Sequence, residues 1–347
     1  MDCISRSIHV AFGAFRKTSL NLAVQTYTIP QTELTVSRLA YGCMHLGGPW
    51  EASTITPKVK RQATEAILTA LEVGITVFDH ADIYSRGKSE LVFGEILRER
   101  AIRRDALILQ TKCGIRFKDD PPGSPQRYDF SYAHIVRSVE ESLRRLGTDY
   151  IDLLLLHRPD ALMEPEEVAR AFDTLHRSGK VRYFGVSNHT AGQMALLMRY
   201  VDQPLVVNQL ELSLLHAHLI EEGITANHDA APAYAGITGL LDFCRLHDVL
   251  VQAWSPLAKG SLIEPPAEAD SRTLRAAEAV AELAEAKQTS REAIALAWLL
   301  RHPAPIQPIV GTLRPERIRA CALADTVWLS REEWYALLTA ARGERVP

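Results

Sequence analysis

The chain has 347 residues, 47% hydrophobic and 23% charged, with a formal net charge of -3. That balance supplies a sizeable core but no basic face for nucleic acid or an anionic membrane, and no apolar run approaches the roughly 20 residues that span a bilayer. Five scattered cysteines, Cys3, Cys43, Cys113, Cys244 and Cys321, have neither zinc-ligand spacing nor the look of a disulfide framework, so a cytoplasmic protein is expected.

In chain order, residues 1–25 carry Arg6, Arg16 and Lys17 against Asp2. Their apolar stretch is too broken for a secretory signal, so a disordered leader is expected there, followed by one domain over 26–347. The segment QTYTIPQTEL is expected to form a β-hairpin. Short apolar strands are expected at 37–42, 75–79, 106–111, 151–156, 181–186, 204–208, 249–253 and 306–310, each followed by a segment of helical period. The helix at 164–178 opens on Pro165, presents Val168, Ala171, Phe172 and Leu175 as its stripe, and stops at Gly179. Thr289 with Glu292, and Ser330 with Glu333, have capping-box spacing before helices at 290–301 and 331–341. Residues 216–236 read as a long irregular loop.

Eight strands alternating with helices, most of them apolar on both faces, imply a parallel sheet covered by helices. No Gly-x-Gly-x-x-Gly follows the first strand, which counts against an open dinucleotide-binding sheet. The expectation is an α/β fold, a closed (β/α)8 TIM barrel with extra C-terminal helices, its bottom plugged by the N-terminal β-hairpin.

Barrels keep their chemistry at the C-terminal ends of the strands. There this chain has Asp79, then Tyr84, Lys112, His157, Ser187 with Asn188, Gln209, Trp254 with Ser255, and Gly311 with Thr312. The first four complete one another. Asp79 is the carboxylate a buried Lys112 needs, and an ammonium beside the Tyr84 phenol is expected to lower its pKa. His157 can hydrogen-bond the same substrate oxygen. Together they form machinery for protonating a carbonyl oxygen. Arg314-Pro315-Glu316-Arg317 opens a helix on Pro315, and its N-terminus with Thr312, Arg314 and Arg317 suits a phosphate.

The stretch FDHADIYSRGKSE resembles the Asp-x-Ala-x-x-Tyr-x-x-Gly-x-x-Glu signature of the aldo-keto reductases. TKCG resembles their catalytic-lysine strand and YIDLLLLHRPD their catalytic-histidine strand. GKVRYFGVSN, NQLELS, AWSPLAKGSL and PIVGTLRPERIRA occur in the family's order, and DHADIY and LLLLHRPD are similar to one bacterial oxidoreductase subgroup. The resemblance covers about residues 26 to 345. It implies NADPH bound without a Rossmann domain, a catalytic tetrad of Tyr84, Asp79, Lys112 and His157, and a nicotinamide carboxamide held by Ser187, Asn188 and Gln209. Trp254, Ser255, Leu257, Lys259, Gly260 and Ser261 would line the cofactor along its pyrophosphate, with Gly311, Thr312, Arg314 and Arg317 at the 2′-phosphate end. Two positions depart from the family pattern. Cys321 stands where many members carry an adenine-contacting Asn, and His80 where Thr, Ser or Cys is commoner.

The expected function is therefore NADPH-dependent reduction of an aldehyde or ketone. Two alternatives are a regulatory barrel that binds NADPH with little turnover and a lyase that uses Lys112 as a Schiff-base nucleophile; an intact tetrad argues against the first, and an adjacent Asp79 against the second. Met44, Trp50 and Arg158 are the candidate substrate-pocket residues. A monomer acting on a small-molecule carbonyl is expected, without nucleic acid, membrane or metal; His216, His218 and His228 are too irregularly spaced to hold an ion.

Overall fold

The computed structural model describes residues 24–229, 233 and 236–347. An antiparallel hairpin of β1 (Thr26–Thr28) and β2 (Thr35–Ser37) precedes the barrel strands β3 (Ala40–Gly42), β4 (Val77–Asp79) and β5 (Ile108–Cys113). A small ribbon, β6 (Ile115–Arg116) with β7 (Arg127–Tyr128), interrupts the series. β8 (Ile151–Leu156), β9 (Val181–Ser187), β10 (Leu205–Glu211), β11 (Leu250–Trp254) and β12 (Ile306–Val310) complete it. All eight barrel strands pair in parallel, in the closed order β10-β11-β12-β3-β4-β5-β8-β9. Around them lie α1 (Pro57–Glu72), α2 (Lys88–Glu99), α3 (Tyr132–Leu146), α4 (Pro165–Arg177), α5 (Ala191–Met198), α6 (His218–Ile224), α7 (Leu240–Leu246), α8 (Ser271–Ala286), α9 (Arg291–Leu300), α10 (Pro315–Ala322) and α11 (Arg331–Arg342).

The strand β8 shows why the pattern closes. All six of its residues are buried, and alternation sends Leu153 and Leu155 inward while Leu154 and Leu156 join the layer between strands and helices. Ile29, Leu34 and Val36 of the hairpin pack in the same inner cluster as Leu153 and Leu155, so the hairpin closes the barrel floor as expected. Above this apolar floor the interior turns polar, towards the strands' C-terminal ends.

Several boundaries differ from the sequence expectation. The segment expected as one strand over 37–42 divides between β2 and β3, because Ser37 stays in the hairpin ladder with Thr26. β5 runs on through Lys112 and Cys113, which pair with Leu155 and Leu156. The helix α9 is capped by Ser290, whose hydroxyl accepts from Ala293, and not by Thr289; the Ser330–Glu333 capping box is formed. Within 216–236 lies the helix α6. Residues 1–23 of the expected leader lie outside the described residues, but Val24 and Gln25 are fixed, the first to the Val73 carbonyl and the second to Asp325. Among the described residues no helix is long and apolar enough to cross a membrane.

The helices α2 and α3 meet at Gly94, where a Cβ would stand 2.5 Å from the carbonyl oxygen of Leu146 and 2.6 Å from that of Arg145. Backbone cannot yield as a flexible side chain can. Gly94→Ala should therefore destabilise the protein by roughly 1–3 kcal/mol, read as a lower urea midpoint. An unchanged midpoint would show that the two helices can separate freely.

Candidate active site

The ends of β4, β5 and β8 bring Asp79, Lys112 and His157 together, and the turn after β4 adds Tyr84. Lys112 is completely buried. Its ammonium donates to the Asp79 carboxylate at 2.8–2.9 Å, to the His80 carbonyl at 2.8 Å and to the Tyr84 hydroxyl at 2.9 Å. An ammonium has three hydrogens and no acceptor, so three partners saturate it. This has two results. Lys112 has no lone pair to attack a carbonyl, which removes the Schiff-base reading. The Tyr84 oxygen must accept from Lys112, which leaves the phenol's own hydrogen to point elsewhere.

The turn bearing Tyr84 is held in an unusual conformation. Ser85 and Arg86 come next at φ 48° and 57°, a left-handed region that non-glycine residues seldom occupy. The buried Ser85 hydroxyl donates to the Gly48 carbonyl at 2.8 Å, and that of Ser89 to the Met44 carbonyl at 3.2 Å, fastening the turn to the loop after β3. Lys88 donates to the carbonyls of Pro49, Trp50 and Ala52 in the same loop. Beneath, the buried Glu90 receives Thr111 at 2.6 Å and Arg145 at 2.7 Å, which ties α2 to β5 and α3. The roles of Ser85, Lys88, Ser89 and Arg145 carry no sequence signal of their own; only the closed fold reveals them.

Charge states depend on burial and neighbours. Burial, the largest influence on Lys112, disfavours its charge, but Asp79 and Tyr84 together outweigh it and hold the lysine above its ordinary value. For Tyr84 the balance differs from the expectation. Lys112 does pull its pKa down, yet burial dominates and the phenol stands above its ordinary value. Tyr84 thus keeps its proton at neutral pH, as a proton donor must. His157 meets the Tyr84 ring edge-on at 6.0 Å. Burial and then the charges of Lys112 and Arg158 push it well below the ordinary histidine value, so it is neutral, with Nδ1 buried and unpartnered.

Ser187, Asn188 and Gln209 come together at the ends of β9 and β10. The Ser187 hydroxyl donates to the Gln209 backbone carbonyl and accepts from the Asn188 amide. Trp254 donates to Asn188 Oδ1 at 3.3 Å. Gln209 spends both amide hydrogens, on Asp79 and Gln252, so it offers a carbonyl acceptor while Asn188 keeps a spare donor. An acceptor beside a donor complements a carboxamide. After β11, Ser255, Ala258, Lys259 and Gly260 all have positive φ, between 49° and 96°. Such concentrated strain marks a segment shaped for something other than its own stability. The half-buried Leu257 anchors it on the core, and beyond it Ser261 begins the run to Glu264.

Thr312 and Arg314 stand at the start of α10, just past Gly311, where a Cβ would meet nothing closer than 3.8 Å. Arg317 is less free than the sequence implied, because it pairs with Glu264 at 2.5 Å. Cys321 is fully buried in the helix-side core. Arg158 lies over the Trp254 ring at 5.8 Å and lines a cavity of about 290 Å³ with Glu211, His216 and His218. Met44 and Trp50 do not line it; Trp50 packs edge-on against Phe117 instead.

The Aldo/keto reductase family model matches residues 38–340. Oxidoreductase YdhF of Escherichia coli (strain K12) is 37% identical over 93% of this chain and 100% of its own length. A 6-dehydroglucose reductase of Agrobacterium fabrum is 37% identical over 90% of this chain and 97% of its own. Among solved structures, an aldo-keto reductase from Klebsiella pneumoniae in complex with NADPH superposes with a TM-score of 0.68 at 26% identity, covering 91% of this chain and 93% of that one. The chain belongs to the aldo/keto reductase family.

The charge states set a pH profile. A neutral His157 gives carbonyl reduction no inflection near the ordinary histidine value of 6.5. A phenol of raised pKa holds its proton, and the rate should survive, until pH passes the ordinary tyrosine value of 10.0. Rates measured across that range check both. An inflection near neutrality that His157→Gln abolishes would contradict the assigned charge.

Proposed function

We propose that this aldo/keto reductase reduces the carbonyl group of a polar small molecule with NADPH, with Tyr84 as the proton donor. The observation that carries the reading is the saturated ammonium of Lys112, which turns the Tyr84 hydrogen outward. NADPH, when bound, supplies a hydride from nicotinamide C4 to the carbonyl carbon. Tyr84 gives its proton to the carbonyl oxygen as negative charge develops there. Lys112 stabilises the phenolate left behind, and Asp79 keeps Lys112 charged and aimed. The neutral His157 hydrogen-bonds the same oxygen and fixes which face of the carbonyl is presented.

The donor and acceptor set fits the cofactor. Asn188 and Gln209 would hold the carboxamide, with Ser187 bracing both. Trp254 would flank the ring, and the strained segment Ser255–Ser261 would run along the pyrophosphate. Thr312, Arg314 and the first turn of α10 suit the 2′-phosphate. With Arg317 engaged by Glu264, the preference for NADPH over NADH falls chiefly on Arg314. The cavity sets Arg158, Glu211, His216 and His218 beside an apolar wall of Leu210, Leu219, Ile237 and Leu240, a mixture that suits a substrate carrying hydroxyl groups on a carbon frame. The Agrobacterium relative named 6-dehydroglucose reductase is in keeping with that.

Two measurements test the reading. Tyr84→Phe should bind NADPH with wild-type affinity yet lose roughly 10²–10⁴-fold in turnover; reduction surviving within a few-fold would remove Tyr84 as the acid. NADPH should bind at least about tenfold more tightly than NADH, a difference of about 1.4 kcal/mol, and Arg314→Ser should erase most of it. Equal affinities in the wild type, read by tryptophan fluorescence, would refute the assignment.

A further inference from the structure

Below Asp79 the barrel interior holds four glutamines on four strands: Gln110 of β5, Gln209 of β10, Gln252 of β11 and Gln307 of β12. Gln110 pairs in register with Asp79, Gln209 with Gln252, and Gln252 with Gln307. Gln110, Gln252 and Gln307 are completely buried, and Gln209 is 3% exposed. Their amides form one connected ladder. Gln307 donates to the Ser37 backbone carbonyl at 2.7 Å and accepts from Gln252 at 2.8 Å. Gln252 also donates to the Gln110 carbonyl at 3.0 Å, and its own carbonyl accepts from Gln110 at 2.8 Å and from Gln209 at 3.0 Å. Gln110 and Gln209 each give their remaining amide hydrogen to Asp79 Oδ1.

The direction of this ladder is fixed from its foot. The Ser37 carbonyl can only accept, so Gln307 must turn its amide nitrogen to it and its carbonyl to Gln252. Gln252 must then point its carbonyl at Gln110 and Gln209. Both of those must present nitrogen to Gln252 and, with the second hydrogen, to Asp79. A protonated Asp79 would need an acceptor at its end, and an amide could supply one only by flipping, which strands a buried partner.

We propose that the Gln307–Gln252–Gln110/Gln209 ladder is a positioning device that, from a backbone carbonyl on the barrel floor, fixes donors on Asp79 and so maintains the ionised Asp79–Lys112 pair behind Tyr84. It rests on the reading of Tyr84 as the proton donor. Gln252 touches neither substrate nor cofactor and acts through Gln110 and Gln209.

The test is Gln252→Met, which keeps length and removes every hydrogen bond, with Gln307→Met as a milder variant one link further down. A carboxylate that loses oriented donors takes up a proton more readily. The kcat should therefore fall several-fold, with a smaller change in KM. In nucleotide-free protein carrying ¹³C-carboxyl aspartate, the resonance missing from Asp79→Asn should be displaced in Gln252→Met relative to wild type, because the donors on Asp79 Oδ1 are no longer held. Gln307→Met should move both readouts the same way by less. A lower unfolding midpoint with an unchanged kcat and an undisplaced resonance would reduce the ladder to packing and overturn the proposal. If Gln252→Met fails to fold, Gln307→Met alone decides. A wild type without turnover would refute the proton-donor reading itself, a result distinct from an active wild type that the Gln252 variant matches.

Discussion

The geometry of this active site depends on one constraint: the ammonium of Lys112 is out of water and must place three hydrogens. Removing such a charge from solvent costs several kcal/mol unless its partners are in position. The partners here come from the end of β4, the His80 backbone and the turn beyond it. Neighbouring β4 and β5 are locked in register, so the sheet itself brings Asp79 and Lys112 within reach of each other. The turn carrying Tyr84 is then held at the required distance by Ser85, Ser89 and Glu90. The barrel thus sets the ion pair, and the turn after β4 sets Tyr84 upon it.

Much of this was legible in the sequence because it depends on local period and strand ends. β8 and β12 appeared at their observed bounds, since unbroken apolar runs between turn residues leave little choice. The meeting of Asp79, Lys112 and His157 could be read because strands of fixed direction deliver their ends to one rim, and Tyr84 follows Asp79 in the turn beyond β4. The hairpin beneath the barrel was expected over QTYTIPQTEL, although its second arm, Thr35–Ser37, lies beyond that segment and takes Ser37 from the expected first barrel strand. Where two hydroxyls compete for one helix end, spacing does not decide, and Ser290 displaced Thr289.

What the sequence withheld depends on three-dimensional balance. The sign of the Tyr84 shift turns on how far burial exceeds the pull of Lys112, and burial is set by the assembled rim. The engagement of Arg317 by Glu264 joins segments distant along the chain, and no spacing rule foresees it. The glutamines lay in plain view, one in each of LILQT, VVNQL, LVQAW and IQPIV. A single polar residue in an apolar strand says little; only closure of the barrel shows that the four face one another.

The segment after β11 is costly to the resting protein. Ala258 and Lys259 hold left-handed backbone where side chains are disfavoured, and glycine arrives only at Gly260. Each such residue costs on the order of 1 kcal/mol that glycine would relieve. The protein therefore stores strain here that glycine would relieve. Glycine substitution would give a calmer loop and a more robust protein, while widening the range of shapes the backbone visits. Selection for durability alone would erode this stretch first, trading readiness for endurance.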